Sequence, residues 1–180
     1  MKKMKMYLMT AILGVASLSM VFTSCNTDEC KDVVCVNSGV CNPDNGNCDC
    51  PTGYEGETCE ILSRAKFINS AGWLADETGS NSGAVPDFDV EIKANTINDN
   101  AVYIENVWDY FSADVDATID GNVISIPRQE PDSDGFYVEG SGTINTTVTP
   151  NVITIDYKVT DETIPATIVT DDVNGTWTQK

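Results

Sequence analysis

The sequence of 180 residues contains no histidine. Imidazole is the commonest general base of enzymes and a frequent zinc ligand. Its absence excludes serine and cysteine nucleophiles activated by histidine, together with most zinc sites. The composition therefore favours a protein that is not an enzyme.

Basic residues are scarce as well. Ten lysines and arginines stand against 28 aspartates and glutamates, a formal net charge of −18. Three of the ten, Lys2, Lys3 and Lys5, precede an apolar segment, and without them the net charge is −21. Such a surface repels phosphate backbones and anionic lipid head groups, so we expect no nucleic-acid partner. Solubility is the simplest explanation of the charge.

A run long enough to span a membrane is also missing. Crossing a bilayer takes ~20 apolar residues, and the longest apolar stretch, YLMTAILGVASLSMVF at 7–22, has sixteen. It follows three lysines, as the core of a secretory signal does. We therefore expect residues 1–24 to be a signal peptide that is removed.

The seven cysteines are an odd number, so at least one has no partner inside the molecule. Cys25 is the candidate, because it follows the apolar segment in the sequence FTSC. This stretch resembles the lipobox of bacterial lipoproteins in a relaxed form, with Phe22 in place of the usual leucine. The resemblance implies cleavage before Cys25, a diacylglycerol on its thiol and an acylated amine, which anchor the protein in a membrane. The alternative is an ordinary signal peptide with Cys25 as a free thiol.

The residues after Cys25 bear on where such a lipoprotein resides. Asp28 and Glu29 resemble the acidic surface-export tags of lipoproteins in some Gram-negative bacteria. The resemblance implies an outer-membrane anchor outside the cytoplasm, with exposure at the cell surface as one outcome. A solvated linker is the alternative, since linkers are often acidic. In either case residues 25–29 are expected to form an acidic linker, lipidated at Cys25.

The other six cysteines lie between Cys30 and Cys59, in a segment with few apolar side chains. Such a segment buries too little apolar surface to fold unaided. In an exported chain these cysteines are expected to form disulfides, each contributing ~2–4 kcal/mol of stability. Zinc is the rival explanation, but the paired C-x-x-C spacing of zinc ribbons is missing. Spacing alone leaves about 15 connectivities open.

Within this segment, CDCPTGYEGETC at 48–59 resembles the closing pattern of the EGF-like family, with Gly53, Tyr54 and Gly56 at its turn. The resemblance implies an EGF-like domain over residues 30–60, a two-stranded hairpin with a cross-linked tail. It also implies the disulfide pairs Cys30–Cys41, Cys35–Cys48 and Cys50–Cys59. The two glycines make physical sense, because tight reversals need a positive φ.

EGF-like domains that bind calcium carry an acidic signature before the first cysteine, and NTDEC is similar to it. Under this resemblance the candidate ligands are Asn26, Asp28 and Glu29. The family also uses an Asn or Asp and an aromatic residue between the third and fourth cysteines, and CNPDNGNC has no aromatic residue. We therefore expect neither a metal nor another cofactor.

From residue 61 onward the chain lacks cysteine and is rich in threonine, valine and isoleucine. Apolar and polar residues alternate in runs such as ADVDATI and NVITIDYKV, which is typical of half-buried antiparallel strands. Short strands joined by short turns favour a meander, and closing it into a barrel removes exposed edges. We predict an all-β barrel over 61–180 with eight or nine strands, at roughly these positions: 67–74, 87–93, 101–108, 113–119, 122–127, 136–144, 152–159, 166–173 and 175–179.

An early GW followed by VEIKA, VYIENV, VDATIDGNVISIPRQ, YVEGSGTI and ITIDYKV resembles the small lipocalin-like (calycin-like) barrels at the ends of bacterial surface lipoproteins. One departure is that lipocalins have G-x-W in the first strand, whereas Gly72 and Trp73 are adjacent. Trp73, Trp108 and Trp177 are candidates to line a ligand cavity, although tryptophans on strands commonly pack in the core.

Three functions fit this organisation. The first is a non-catalytic cell-surface lipoprotein whose barrel binds a small apolar or glycan ligand, with the EGF-like module as a spacer. The second is a structural or interaction subunit that contacts another surface protein. The third is a glycoside hydrolase using carboxylates such as Asp109, Asp114 or Glu139, but acids are so abundant that a pair is unsurprising. We expect the first, with the membrane reached through acyl chains on Cys25.

Overall fold

The computed structural model describes residues 29–180. The expected signal peptide at 1–24, the lipidation candidate Cys25 and the calcium candidates Asn26 and Asp28 lie outside the described residues. Of the helices within 29–180, none has the length and apolar character of a membrane span. The regular secondary structure of the described chain is almost entirely β-strand, in a disulfide module at 29–62 and a barrel at 73–179.

The disulfide module contains four two-residue strands that form two small antiparallel ladders. They are β1 (Val40–Cys41) paired with β2 (Cys48–Asp49), and β3 (Tyr54–Glu55) paired with β4 (Ile61–Leu62). The disulfides are Cys30–Cys41, Cys35–Cys48 and Cys50–Cys59. The prediction of disulfides is thereby confirmed, and each pair is the one that the EGF-like resemblance implies.

Cross-links take the place of an apolar core in this module. Val34 and Val40 are exposed, whereas Cys59 is fully buried. Gly39 lies so close to the Cys50–Cys59 bridge that a Cβ at this position would come within 2.6 Å of the Cys59 sulfur. A side chain at residue 39 would therefore push the bridge out of place.

Residues 73–179 fold into a closed barrel of eight antiparallel strands. The strands are β5 (Trp73–Gly79), β6 (Gly83–Ala94), β7 (Ala101–Glu105), β8 (Val115–Asp120), β9 (Val123–Gln129), β10 (Phe136–Asn145), β11 (Val152–Asp161) and β12 (Val169–Gln179). Each strand pairs with its neighbours in the chain, and β12 returns to pair with β5. The predicted all-β class and closed meander are confirmed.

Inward-facing side chains fill most of the barrel in layers that cross the strands. Register places Ile144, Ile153 and Trp177 side by side in one such layer. Glycines occupy inward positions where a neighbour needs room, because a Cβ at Gly175 would come within 2.8 Å of Glu77. In the layer that contains Gly175, small and large residues alternate across the strands in the order Gly142, Ile155, Gly175 and Glu77, which allows close packing.

Two predicted strand positions are wrong, each for a local reason. The pattern places the first strand at 67–74, but β5 runs from Trp73 to Gly79. Its inward positions include the buried Glu77, so the acidic sequence ADETG shows no apolar alternation. The pattern also places a break before residue 175, but β12 is continuous, because Gly175 serves the packing around Glu77 and not a turn.

One end of the barrel is closed by residues 63–72, called here the basal cap. A 3-10 helix, Ser63–Lys66, leads into Phe67, which is fully buried. The indole Nε1 of Trp73 donates a hydrogen bond of 2.9 Å to the carbonyl of Phe67. This bond ties the basal cap to the start of β5 and satisfies the buried indole.

The disulfide module packs against the same closed end, on the β6–β7 loop. The Tyr54 hydroxyl donates to the Asp99 carboxylate at 2.5 Å. Gly53 has a φ of 90°, and a Cβ there would come within 2.6 Å of the Cβ of Asn100. Gly56 has a φ of 98° and lies against Glu60, within the module. These turn residues therefore shape the module, and Gly53 and Tyr54 place it against the barrel.

Arg64 of the basal cap holds the same loop through its backbone. Its guanidinium donates to the carbonyls of Asn95 and Asn98 at 2.7 and 2.8 Å, and to that of Ala101 at 3.3 Å. It also forms an ion pair with Asp99 at 3.3 Å. Because one planar group satisfies several carbonyls at once, Arg64 joins the basal cap to the β6–β7 loop of the barrel.

Candidate functional site

The end of the barrel opposite the disulfide module holds a cavity of about 300 Å³, called here the mouth cavity. The β5–β6, β7–β8, β9–β10 and β11–β12 connections all lie at this end, because alternate connections of a meander share one side. The cavity is lined by Asn81, Ser82, Trp108, Phe136, Val159, Asp161, Val169 and Asp171. Turn residues and the last inward-facing positions of three strands therefore build it together.

The apolar wall of the mouth cavity is formed by Trp108, Phe136, Val159 and Val169. The last three occupy inward-facing positions at the ends of β10, β11 and β12. Trp108 comes from the β7–β8 loop. The ring of Tyr110 lies 5.7 Å from that of Trp108 and 5.1 Å from that of Phe136, centroid to centroid. These contacts between aromatic rings hold the loop against β10.

Trp108 carries two local costs. Its φ of 61° lies in the left-handed region, as does that of Asp109 at 49°, and a non-glycine residue held there costs about 1–3 kcal/mol. Its indole Nε1 is buried and has no hydrogen-bond partner within the described part of the chain. A buried donor without an acceptor costs about 1–3 kcal/mol. Strain and unsatisfied donors of this kind concentrate at functional sites.

The polar wall contains two carboxylates, of Asp161 and Asp171. Asp171 is only 6% exposed, and it accepts hydrogen bonds from the Ser80 hydroxyl at 3.0 Å and from the backbone N–H of Asn81 and Ser82 at 2.8 and 3.0 Å. Burial alone would raise the pKa of Asp171, but these hydrogen bonds outweigh burial and lower the pKa below its usual value. Asp171 is therefore ionised at neutral pH.

Deeper in the barrel lies a third carboxylate, that of Glu77, which is 1% exposed. It accepts hydrogen bonds from the Tyr157 hydroxyl at 2.5 Å and from the Trp177 indole at 2.6 Å. Burial raises the pKa of Glu77 despite both hydrogen bonds. Burial also raises the pKa of Tyr157, and the neighbouring Glu77 raises it further. The network satisfies its own polar atoms, so it belongs to the packed core.

The carboxylates of the loops around the mouth accept backbone hydrogen bonds. Asp132 accepts from the N–H groups of Ser112 and Ala113 at 2.9 and 2.7 Å. Glu130 accepts from the N–H of Gly135 at 2.6 Å. The Asp132 bonds fix the β7–β8 loop against the β9–β10 loop, and the Glu130 bond fixes the β9–β10 loop itself, so the rim of the mouth cavity is held in place.

Among the candidate tryptophans, Trp108 lines the mouth cavity. Trp73 and Trp177 are fully buried in the core. Their indole groups donate to the Phe67 carbonyl and to Glu77 respectively. Trp108 thus differs from the other two by facing a cavity and by lacking an acceptor for its indole.

The other candidate residues lie away from the mouth cavity. Asp109 and Asp114 are exposed on the β7–β8 loop, and Glu139 lies on the outer face of β10, 4.0 Å from Arg128. Gly53 and Tyr54 sit at the closed end. Over residues 29–180, which include Glu29, no group of three or more acidic or cysteine side chains is arranged to hold a metal ion.

Of the residues that line the mouth cavity, only Trp108 was a candidate from the sequence, and Phe136, Asp161 and Asp171 are among those that were missed. What marks these residues in the sequence is their inward or outward position on a strand. Continuing the alternation of NVITIDYKV past Val159 places Asp161 on the inward face, and register places Phe136 beside it. An acid on an inward face stands out, because unpaired carboxylates are rarely buried. The signal can be used only when the strand register is known.

A larger depression of about 630 Å³ lies on the outer face of β9 to β12. Four of the five charged side chains that line it pair with one another, Arg128 with Glu139 at 4.0 Å and Lys158 with Asp172 at 3.6 Å. Exposed pairs of this kind form cross-strand ladders on many sheets. The mouth cavity, with its buried carboxylate and unpartnered indole, is the better candidate for a site.

Comparison with known proteins gives one short match. No family model and no solved structure matches the chain. Among curated proteins, the chain is 52% identical over 32 residues to Protein irg-7 of Caenorhabditis elegans. The match covers 18% of this chain and 1% of the nematode protein. The chain therefore spans a very small part of that relative.

Proposed function

We propose that the chain is a non-catalytic, lipid-anchored cell-surface protein that binds a small ligand in the mouth cavity. The observation that carries this proposal is the cavity itself, in which an aromatic and aliphatic wall meets a few fixed polar groups. Ligand sites have this composition, and they range from ~300 to 1,000 Å³. At about 300 Å³ the cavity suits a small molecule or a single sugar unit of a glycan.

Trp108 supports the same interpretation. Its ring lines the cavity, although burying its indole N–H without an acceptor costs stability. The strained backbone at Trp108 then holds the ring where the ligand needs it. Neither feature improves the stability of the protein on its own.

In this proposal the membrane lies at the closed end of the barrel. Acyl chains on Cys25 would precede the disulfide module, which packs on the closed end through the hydrogen bond from Tyr54 to Asp99. The mouth cavity would then face away from the bilayer. The disulfide pairs support an EGF-like module that acts as a stiff spacer. The closed meander with Trp73 in its first strand supports a lipocalin-like barrel.

Native mass spectrometry on the full-length protein from its own host tests the binding function. We expect a noncovalent adduct of constant mass that denaturation releases. Trp108→Ala should lose the adduct, whereas Tyr137→Ala, which removes an aromatic ring stacked by Arg128 outside the cavity, should keep it. A bare mass in every preparation would overturn the binding function.

The anchor is tested separately by changing Cys25→Ser. We expect the denatured wild-type protein to carry the mass of acyl chains and to fractionate with membranes. The serine variant should lack that mass and leave the membrane fraction. A wild-type protein of unmodified mass that contains a free thiol would contradict lipidation.

The second function, an interaction subunit, is favoured by apolar side chains near the closed end. Val34 and Val40 of the disulfide module are 73% and 68% exposed, and Ile97 of the β6–β7 loop is 91% exposed. Exposed apolar surface of this kind often marks a contact with another protein. A photo-crosslinking residue at position 34 on intact cells would capture one defined partner if this function holds. Random or absent crosslinks would count against it.

A further inference from the structure

The charge around the mouth cavity restricts the chemistry of its ligand. Asp161 and Asp171 line the cavity, and its lining contains no lysine or arginine among residues 29–180. The adjoining β9–β10 loop adds Glu130, Asp132 and Asp134. Charges of one sign around a concave site raise the local concentration of ions of the opposite sign. An anionic ligand would be repelled from this end of the barrel.

Arg128, at the end of β9, does not compensate this charge. Its guanidinium donates to Glu162 at 2.6 Å and lies 4.0 Å from Glu139. It also stacks on the ring of Tyr137, 4.1 Å from the centroid, on the outer face of the barrel. The charge of Arg128 is therefore paired outside the cavity, and it does not neutralise the carboxylates of Asp161 and Asp171 inside it.

Asp171 keeps its charge although it is nearly buried. Neutral donors from the β5–β6 turn hold the carboxylate, at 2.8 to 3.0 Å, and no salt bridge of the described residues includes it. Buried carboxylates usually pair with a cation. Beside it, the rings of Trp108 and Phe136 line the cavity, and the faces of aromatic rings attract cations. Carboxylates and aromatic rings together form the surroundings that a cation with an apolar body prefers.

We propose that the mouth cavity binds an organic ammonium ion, with its charged group near Asp171 and Asp161 and its apolar body against Trp108 and Phe136. This inference rests on the proposed function, because it gives the chemical class of the ligand for the same cavity. The expected ligand is then an apolar molecule that carries a positive charge, and not a purely apolar one.

Three probes with the same phenyl group test the charge: benzylammonium, benzyl alcohol and benzoate. The full-length protein is labelled with ¹⁵N-tryptophan, and its three tryptophans give three indole signals, of which Trp108→Phe identifies one by its loss. We expect benzylammonium to move the Trp108 signal saturably and to bind at least about tenfold more tightly than benzyl alcohol. Benzoate should not bind. The signals of Trp73 and Trp177 should stay in place and report an intact core.

Matched variants separate a specific carboxylate from net charge. Asp171→Asn and Asp161→Asn should each weaken benzylammonium binding at least about fivefold. Asp172→Asn removes the same charge from the outer face, where Asp172 is exposed beside Lys158, and should change affinity less than about twofold. Asp161→Asn keeps the test valid if Asp171→Asn disturbs the β5–β6 turn. Added salt should weaken binding of benzylammonium only.

The outcomes distinguish the two proposals. If benzyl alcohol or benzoate binds as tightly as benzylammonium, or if both cavity variants bind normally, the mouth cavity is a ligand site but the ammonium inference is wrong. If no probe moves the Trp108 signal and the protein from its host carries no adduct, the binding function fails together with the inference.

Discussion

Replacing Glu77 by alanine tests how the interior of the barrel is held together. The change removes the acceptor of two buried hydrogen bonds, from Tyr157 at 2.5 Å and Trp177 at 2.6 Å. Each buried donor left without a partner costs about 1–3 kcal/mol, so these bonds alone predict a loss of about 2–6 kcal/mol. The space left beside Gly175 adds the cost of a cavity. Domains have a free energy of unfolding of only ~5–15 kcal/mol. The variant should therefore lose a large fraction of that stability.

Glu77→Gln separates the charge from the shape, because it keeps an acceptor oxygen in place. Burial raises the pKa of Glu77 above its usual value of 4.5, so the folded state binds this proton more tightly than the unfolded state. The wild type therefore loses stability as the pH rises from 4.5 to the raised pKa, by up to about 1.4 kcal/mol per pH unit. The glutamine variant lacks this loss. Its stability relative to wild type should rise over the same interval.

The assay is urea unfolding with the disulfides intact, followed by tryptophan fluorescence between pH 4.5 and 8. Glu91→Gln, which removes an exposed carboxylate of β6, is the control and should change little. The reasoning is refuted if Glu77→Ala costs less than about 1 kcal/mol, the size of an average substitution. It is refuted equally if the difference between Glu77→Gln and wild type does not depend on pH.

Three further predictions concern the mouth cavity, the closed end and the cross-links. Hydrogen bonds lower the pKa of Asp171 against the effect of burial. The contribution of this carboxylate to stability is therefore complete above pH 3.8 and is lost as the pH falls through the lowered pKa. Acid unfolding followed by near-UV circular dichroism should be less steep in Asp171→Asn, and an unchanged curve would contradict this. Arg64→Ala removes the donors that bind the backbone carbonyls of the β6–β7 loop. The free energy of unfolding should fall by about 1.5–3 kcal/mol, and amide hydrogen exchange at 95–101 should become faster. Exchange protection equal to that of the wild type would show that other contacts hold the loop. Reduction of the disulfides should expose the module to protease while the near-UV signal of the tryptophans, all located in the barrel, persists; loss of that signal would show that the barrel depends on the cross-links.

The sequence predicts the barrel strands well where polar residues mark the outer face. ADVDATI contains most of β8, and NVITIDYKV contains most of β11, because one face of each strand meets water. The same rule fails at β5, where Glu77 occupies an inward position. Its partners Tyr157 and Trp177 are far away in the sequence, so no local pattern shows that a buried acid is satisfied there.

The mouth cavity could be predicted only in part, because residues from several loops and strand ends build it. Trp108 was a candidate together with Trp73 and Trp177, and composition cannot rank them. What separates them is the hydrogen-bond partner of each indole: Phe67 and Glu77 serve the other two, and Trp108 has none in the described chain. Asp171 reaches the cavity through the register between β11 and β12, which depends on the whole sheet.

Closure of the barrel by β5 and β12 has a consequence for the order of assembly in time. The hydrogen bond between Trp177 and Glu77 joins residues that are 100 positions apart in the chain. The disulfides of the module, by contrast, join cysteines at most 13 positions apart. During synthesis β5 appears early and its closing partner appears last, and distant pairings form late because long loops are costly to close. A nascent chain that ends before residue 169 is therefore expected to hold an open sheet with two unpaired edges, the form most exposed to aggregation.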